Sequence, residues 1–200
     1  RTICLERVDS TNDYAVAHCG ELGCGSMVTA REQTAGRGRR GRRWHSPPAG
    51  NFYGSFVLTP AADGVDAGLI PQLGAVSVLE LVQHCGVTDA WIKWPNDVLA
   101  GDRKLAGCLV EACSRPDGDE VIILGIGANL NATAEGLRNI SSPATSLLIE
   151  SGNTVPPRSF AERLHVGVCQ WYDRLRRGEA DALHRTWASN SRLPGQRVCL

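Results

Sequence analysis

An α+β fold, a mixed β-sheet flanked by helices, is what this sequence predicts, on three observations. Short β-rich stretches dominate the chain up to Asn131, one long apolar helix interrupts them, and the remainder is helical. That order is neither a run of βαβ units nor a helical bundle. Its 200 residues, 42% of them hydrophobic, suit a single domain with a sizeable core.

Each element has its own signal. Ile3 to Val8 reads as a strand, and Asp9-Ser10-Thr11-Asn12 offers N-cap side chains for a helix over about 12–19. After a turn from Gly20 to Gly25, Met27-Val28-Thr29-Ala30 is a second strand. Asn51 to Leu58, aromatic and β-rich, is a third. Residues 67–85 read as a helix with Pro71 in its first turn. Its Leu69, Leu73, Val76, Leu79, Val82 and Cys85 lie within a wide apolar stripe, as in a largely buried helix. Ala90 to Trp94 is a short strand that Pro95 stops. Lys104 to Ala112 and Val121 to Ile126 are strands joined through Arg115-Pro116-Asp117-Gly118-Asp119, a hairpin with a longer loop than the tightest types. Beyond Gly136 the period is helical. Residues 157–176 carry Phe160, Leu164, Val168, Trp171 and Leu175 on one stripe, and 179–189 carry Leu183 and Trp187. Gly195 to Leu200 reads as a strand that begins and is cut off.

Charge and cysteine usage exclude several classes. Twenty-one Lys and Arg balance twenty-one Asp and Glu, so no whole face is built to coat nucleic acid. No apolar run is long enough to span a bilayer, and the start has no signal-peptide pattern. The eight cysteines form no C-x-x-C pair and have no histidines at zinc spacing. Reduced core thiols in a cytoplasmic protein are the expectation.

Chemistry concentrates in five polar clusters. Ser10-Thr11-Asn12 is either a helix cap or a grip on a small polar group. Gln33 precedes a segment with five arginines and three glycines between Gly36 and Arg43, followed by Trp44. No core absorbs that many guanidinium groups, so it reads as a mobile anion-gripping loop. Lys93-Trp94-Pro95-Asn96-Asp97 is either a turn or a place where Asp97 meets Mg²⁺ beside a nucleotide. Lys104 opens a strand that runs through Gly107 to Glu111, as a surface lysine or as one aimed at a carboxylate or phosphate. Gly125-Ile126-Gly127-Ala128-Asn129-Leu130-Asn131 closes a strand without a following helix. It is therefore a poor dinucleotide fingerprint, and its glycines favour close approach of a ligand.

Taken in order, Ser-Thr-Asn, Gln-x-x-Gly-Arg-Gly-Arg-x-Gly-Arg-x-Trp, Lys-Trp-Pro-Asn-Asp, Lys-Leu-Ala-Gly-x-Leu-x-Glu and Gly-x-Gly-x-Asn-x-Asn resemble the catalytic domain of biotin protein ligases. The motifs run from about Val8 to Asn131, and the likeness continues more loosely through Ala144-Thr145-Ser146-Leu147. The resemblance implies a fold similar to the class II aminoacyl-tRNA synthetases and the biotin and lipoate ligases. It implies an ATP-dependent enzyme that makes biotinyl-5′-AMP and transfers biotin to a lysine of a biotin carboxyl carrier protein. It further implies that Ser10, Thr11, Asn12, Gln33, Gly36, Arg37, Lys104 and Gly107 contact biotin. Arg37, Arg39, Arg40, Trp44, Asn96, Lys104, Asn129 and Asn131 contact the nucleotide. Lys104, Arg37, Arg39 and Asp97 carry the chemistry, with Asp97 either meeting Mg²⁺ or steering the incoming lysine.

Residues 1–192 are expected to form the catalytic domain and 193–200 the start of a truncated C-terminal β domain. The chain opens almost at the first motif, so neither a DNA-binding domain nor a repressor role is expected. A monomer or a homodimer fits the resemblance equally. Two other readings compete: a lipoate or other acyl-carrier ligase of the same fold, and a nucleic-acid-binding module using the arginine-rich loop.

Overall fold

The strand Phe52–Leu58 is buried at every position, which only a strand covered on both faces can be. Phe52, Phe56 and Leu58 turn to one side, and Val57 packs on the other. Around it the computed structural model, which describes residues 1–48, 50–138, 140 and 142–192, builds a seven-stranded mixed sheet. The strands are β1 (Thr2–Val8), β2 (Met27–Gln33), β3 (Phe52–Leu58), β4 (Trp91–Lys93), β5 (Asp97–Ala100), β6 (Arg103–Ser114) and β7 (Glu120–Ala128). Their order is β1-β2-β3-β7-β6-β5-β4. Only β1 and β2 are parallel, joined by the crossover helix α1 (Thr11–Ala17); the other neighbours are antiparallel.

The other helices are α2 (Pro60–Asp63), α3 (Ile70–His84), α4 (Ala134–Leu137), α5 (Leu147–Ser151), α6 (Pro157–Arg176) and α7 (Ala180–Ser189). One sheet face is covered by α3, α6 and α7. There Leu73, Val76, Leu79, Leu124, Leu164 and Leu183 are fully buried in one core. The expected stripe on α6 is that core's outer wall, all five of its residues being buried. Gly74 lets α3 approach closely: a Cβ there would lie 2.8 Å from Leu124 Cδ1. On the opposite face α1 packs Ala15, with Cys19 and Leu22 just beyond its end, on Val28, Val57, Val121 and Ile123. With seven residues, α1 covers only part of that face. The uncovered part becomes the cleft described below.

The structure corrects several expectations. The short strand stopped by Pro95 does not end the sheet there: β5 follows at once and pairs antiparallel with both β4 and β6. Four residues are too few for a visible period. Pairing with β1 extends β2 to Gln33, through Arg7 opposite Glu32 and Val8 opposite Gln33. A 3₁₀ turn over Ala67–Leu69, capped by Asp66, precedes α3, so the expected helix has two parts. The hairpin loop over Arg115–Asp119 is as expected, and Arg115 donates to the carbonyls of Cys19 and Leu22, tying it to the segment after α1.

The thiols are less buried than expected. Among the seven free cysteines described, only Cys19 and Cys108 are buried, while Cys4 and Cys24 are exposed. Cys4 sits on an edge strand and Cys24 in a turn, where local apolar neighbours do not mean burial. Cys199 and the proposed β domain beginning at 193 lie outside the described residues, as does the strand expected from Gly195. Among the described residues no helix is long and apolar enough to cross a membrane.

Because Leu164 is wholly enclosed between α6 and the sheet, Leu164→Ala should cost about 2–5 kcal/mol in urea unfolding. A loss below about 1 kcal/mol would show that α6 is not part of the cooperative core.

Candidate active site

Three glycines on β6 and β7 form the floor of the uncovered face. Gly107 and Gly127 are register partners, and Gly125 stands opposite Leu109. Each yields its side-chain space to a residue from elsewhere. A Cβ on Gly125 would lie 2.2 Å from Asn12 Oδ1, one on Gly127 2.5 Å from the Trp44 ring, and one on Gly107 2.8 Å from Lys104 Nζ. The strand glycines thus make room for the protein's own side chains first.

At one end the cleft is polar and uncharged. Ser10 caps α1, its Oγ accepting from the Asp13 amide at 3.4 Å. Gln33 Oε1 accepts from the Thr11 amide at 2.9 Å and from Thr11 Oγ1 at 3.1 Å, and its Nε2 donates to Ser46 Oγ at 2.9 Å. Ser55 Oγ stands 2.8 Å from Thr11 Oγ1 and 2.5 Å from Asn12 Oδ1. Ser10, Thr11, Asn12 and Ser55 are all buried. A polar group is retained at such positions only when it is bonded, and fixed donors and acceptors of this kind select a ligand's shape.

The arginine segment is not an open coil. The Trp44 amide donates to the Gly36 carbonyl at 2.9 Å, Arg43 donates to the Thr34 carbonyl at 2.6 Å, and Arg37 and Arg43 form a β-bridge. Arg37 grips Glu111 with both terminal nitrogens, each at 2.7 Å, and reaches Asp13 Oδ1 at 2.5 Å. Arg39 donates to Asn96 Oδ1 at 2.9 Å, and Asn96 Nδ2 donates to the Cys108 carbonyl.

At the other end Lys104 Nζ lies 2.7 Å from Asp97 Oδ1 and 5.2 Å from the centre of the Trp44 ring. The indole Nε1 of Trp44 is buried without a hydrogen-bond partner. A buried unpaired donor costs about 1–3 kcal/mol, which an acceptor on a bound ligand would recover. Together these residues enclose about 260 Å³. The lining includes Ser10, Thr11, Asn12, Gln33, Arg37, Arg39, Trp44, Asn96, Asp97, Lys104, Gly107 and Asn129, all expected from the sequence.

Three expected contact residues do not line it. Gly36 is buried behind the loop, where a Cβ would lie 2.6 Å from Ser46 Oγ; it packs the loop against Gln33. Arg40 is exposed at φ 58°, on the outside of the turn. Asn131 uses its amide on the Gly50 and Val155 carbonyls and stands in a neighbouring depression. Conversely, Arg42, Arg43 and His45 line the cleft without having been expected, and Glu111, Asp13 and Ser55 stand behind it, bonded to lining residues. Ser55 has a signal, a lone hydroxyl in an otherwise apolar and aromatic strand, and Glu111 ends the Lys-Leu-Ala-Gly-x-Leu-x-Glu motif. Asp13 has none beyond its place in a first helical turn.

Two kinds of chemistry find no support here. Burial pushes the Cys108 thiol up to about 12, so it stays protonated at neutral pH and supplies no nucleophile. Among the described residues no three His, Cys, Asp or Glu side chains cluster as metal ligands, and the Asp97 carboxylate faces an ammonium group. The chain's own residues therefore do not fit a resident metal ion. What the arrangement does offer is a neutral polar pocket leading to Lys104 and Arg39. It suits a ligand with an uncharged polar head and an anionic tail.

The sequence matches the model of the biotin/lipoate A/B protein ligase family over residues 4–129. It is 34% identical over 198 residues to a biotin–[acetyl-CoA-carboxylase] ligase of Paracoccus denitrificans, covering 97% of this chain and 82% of that protein. It is 40% identical over 127 residues to the bifunctional ligase/repressor BirA of Escherichia coli, which is 63% of this chain and 39% of that protein. Similar solved structures include the biotin protein ligase of Aquifex aeolicus in complex with biotin and ATP. There the TM-score is 0.77 at 29% identity, over 88% of this chain and 72% of that one. The Leishmania major enzyme in complex with biotinyl-5-AMP gives a TM-score of 0.76 at 26% identity, over 99% and 87%. The chain thus belongs to the biotin/lipoate A/B protein ligase family.

Proposed function

We infer that this chain is an ATP-dependent ligase that activates biotin and transfers it to a lysine of a biotin carboxyl carrier protein. The observation that carries this is the polarity of the cleft, neutral around Ser10, Thr11 and Gln33 and cationic at Lys104 and Arg39. Biotin has the same polarity, an uncharged ureido ring joined by an apolar chain to a carboxylate.

In the first step a biotin carboxylate oxygen attacks the α-phosphorus of ATP. The new P–O bond gives biotinyl-5′-AMP, and pyrophosphate leaves with the electrons of the broken bond. Two anions must meet, so the protein's task is to screen their repulsion and stabilise charge at phosphorus. Preset cations achieve that without a protein nucleophile. Lys104 is the group for it, released from Asp97 as the ligand's negative charge replaces that carboxylate. Arg39, braced by Asn96, lies beside it. Trp44 closes the cleft over Gly127 and presents its unpaired N–H to the ligand.

In the second step the amine of the carrier lysine attacks the carbonyl of the mixed anhydride. An amide forms, AMP leaves, and a proton is lost from the nitrogen. Asp97, freed from Lys104, steers that incoming ammonium group. The adenylate hydrolyses readily, so the arginine loop excludes water until the carrier arrives. Any Mg²⁺ would come with the phosphates of ATP.

Pyrophosphate exchange tests the reading: it should depend on biotin, whereas exchange with lipoate and not with biotin would overturn it. Lys104→Ala should lower biotin-dependent exchange about 100-fold or more, and an unchanged rate would remove Lys104 from the chemistry. Arg37→Ala should release more free biotinyl-adenylate than the parent. Gly125→Val should weaken biotin binding at least about tenfold in calorimetry by evicting Asn12; full affinity would mean that Asn12 does not shape the pocket.

A further inference from the structure

Arg37 was expected to lend its charge to the ligand, but the described contacts commit it to two carboxylates. Glu111 Oε1 accepts from Nη1 of Arg37, and Glu111 Oε2 accepts both from Nη2 of Arg37 and from Nδ2 of Asn12, all at 2.7 Å. Asp13 adds a second carboxylate to the same guanidinium. The corner therefore carries one positive and two negative charges, which leaves nothing to attract an anion.

We propose that Glu111 is a positioning residue: it latches the arginine loop onto the α1 end of the cleft, and so controls how long the adenylate is held. This rests on the reading of the cleft as a biotin-activating site. Glu111 lies on β6, on the same face as Gly107, and β6 is fixed between β5 and β7. Its side chain is 26% exposed and that of Arg37 is 40% exposed, so the pair is only partly screened by water. A guanidinium fork on one carboxylate is the most directional ion pair available to a side chain. One carboxylate on a central strand thus ties together two separate parts, the start of α1 through Asn12 and the loop through Arg37. The same corner orients the ligand, because it repels biotin's carboxylate toward Lys104 and leaves the neutral ring for the Thr11 and Gln33 end.

Hydrogen–deuterium exchange on the ligand-free protein tests the latch. Glu111→Gln, which keeps an acceptor for Asn12 but removes the charge, should speed exchange of the loop amides over 36–44 about tenfold, with the melting temperature little changed. With biotin and ATP, the ratio of free to enzyme-formed adenylate should rise by a similar factor. Unaltered loop exchange would overturn the proposal, and so would a uniform rise across the whole chain, which would make Glu111 merely structural. Should Glu111→Gln fail to fold, Arg37→Gln, on the exposed side of the pair, should produce the same local rise. Absence of biotin-dependent pyrophosphate exchange in the parent would instead overturn the biotin reading, while the ligand-free measurement would still decide the latch.

Discussion

Asn12, Trp44 and Lys104 come from three distant parts of the chain, and they meet because Gly125, Gly127 and Gly107 surrender the volume of a side chain. The constraint is steric: a Cβ at 2.2–2.8 Å from Asn12, Trp44 or Lys104 forces that side chain to move, and it is hardest at Gly127, where the neighbour is the Trp44 ring rather than a flexible tip. It also requires the glycines to sit on one face of paired strands. The register of β6 on β7, which sets Gly107 against Gly127, provides that. The short helix α1 completes the arrangement by ending where it does and leaving this stretch of sheet uncovered. A longer helix, or a valine in place of any of the three glycines, would fill the cleft with core.

Electrostatics adds a second layer. The chain is neutral overall, yet it gathers five arginines in one short segment. The structure manages that density by pairing. Arg37 is taken by Glu111 and Asp13, Arg39 by Asn96, Arg43 by a backbone carbonyl, and Lys104 by Asp97. Partly buried charges held by partners cost less than bare ones, and the partner can be exchanged when an anionic ligand arrives. The cleft therefore holds its cations ready, Arg37 and Lys104 on carboxylates and Arg39 and Arg43 on neutral acceptors.

Much of the fold was legible in the sequence because it rests on local periodicity. The apolar stripe of α3 and the Phe160-to-Leu175 stripe of α6 identify buried helices without any knowledge of what they touch. β5 was not legible, since four residues have no period and take their identity from pairing with β4 and β6. The exposure of Cys4 was hidden for the same reason: edge position is a property of the sheet. In the site, twelve of the expected contact residues do line the cleft, because motif order encodes chemistry. Gly36, Arg40 and Asn131 stand beside it, since membership of a motif does not separate residues that touch a ligand from those that shape the loop. Glu111 gains its importance only through register, which sets it across from Asn12 and Arg37, and a linear reading does not contain that distance.

The glycine floor also has a consequence for inheritance. Any single-base change that alters a glycine codon without stopping translation adds atoms, so at Gly107, Gly125 and Gly127 every such mutation intrudes on a working side chain. The walls of the cleft, made of long flexible side chains, can be exchanged gradually for others of similar reach. Divergence among related chains should therefore run through the walls and leave the floor fixed. Part of this site's hereditary information is carried by side chains that are not there.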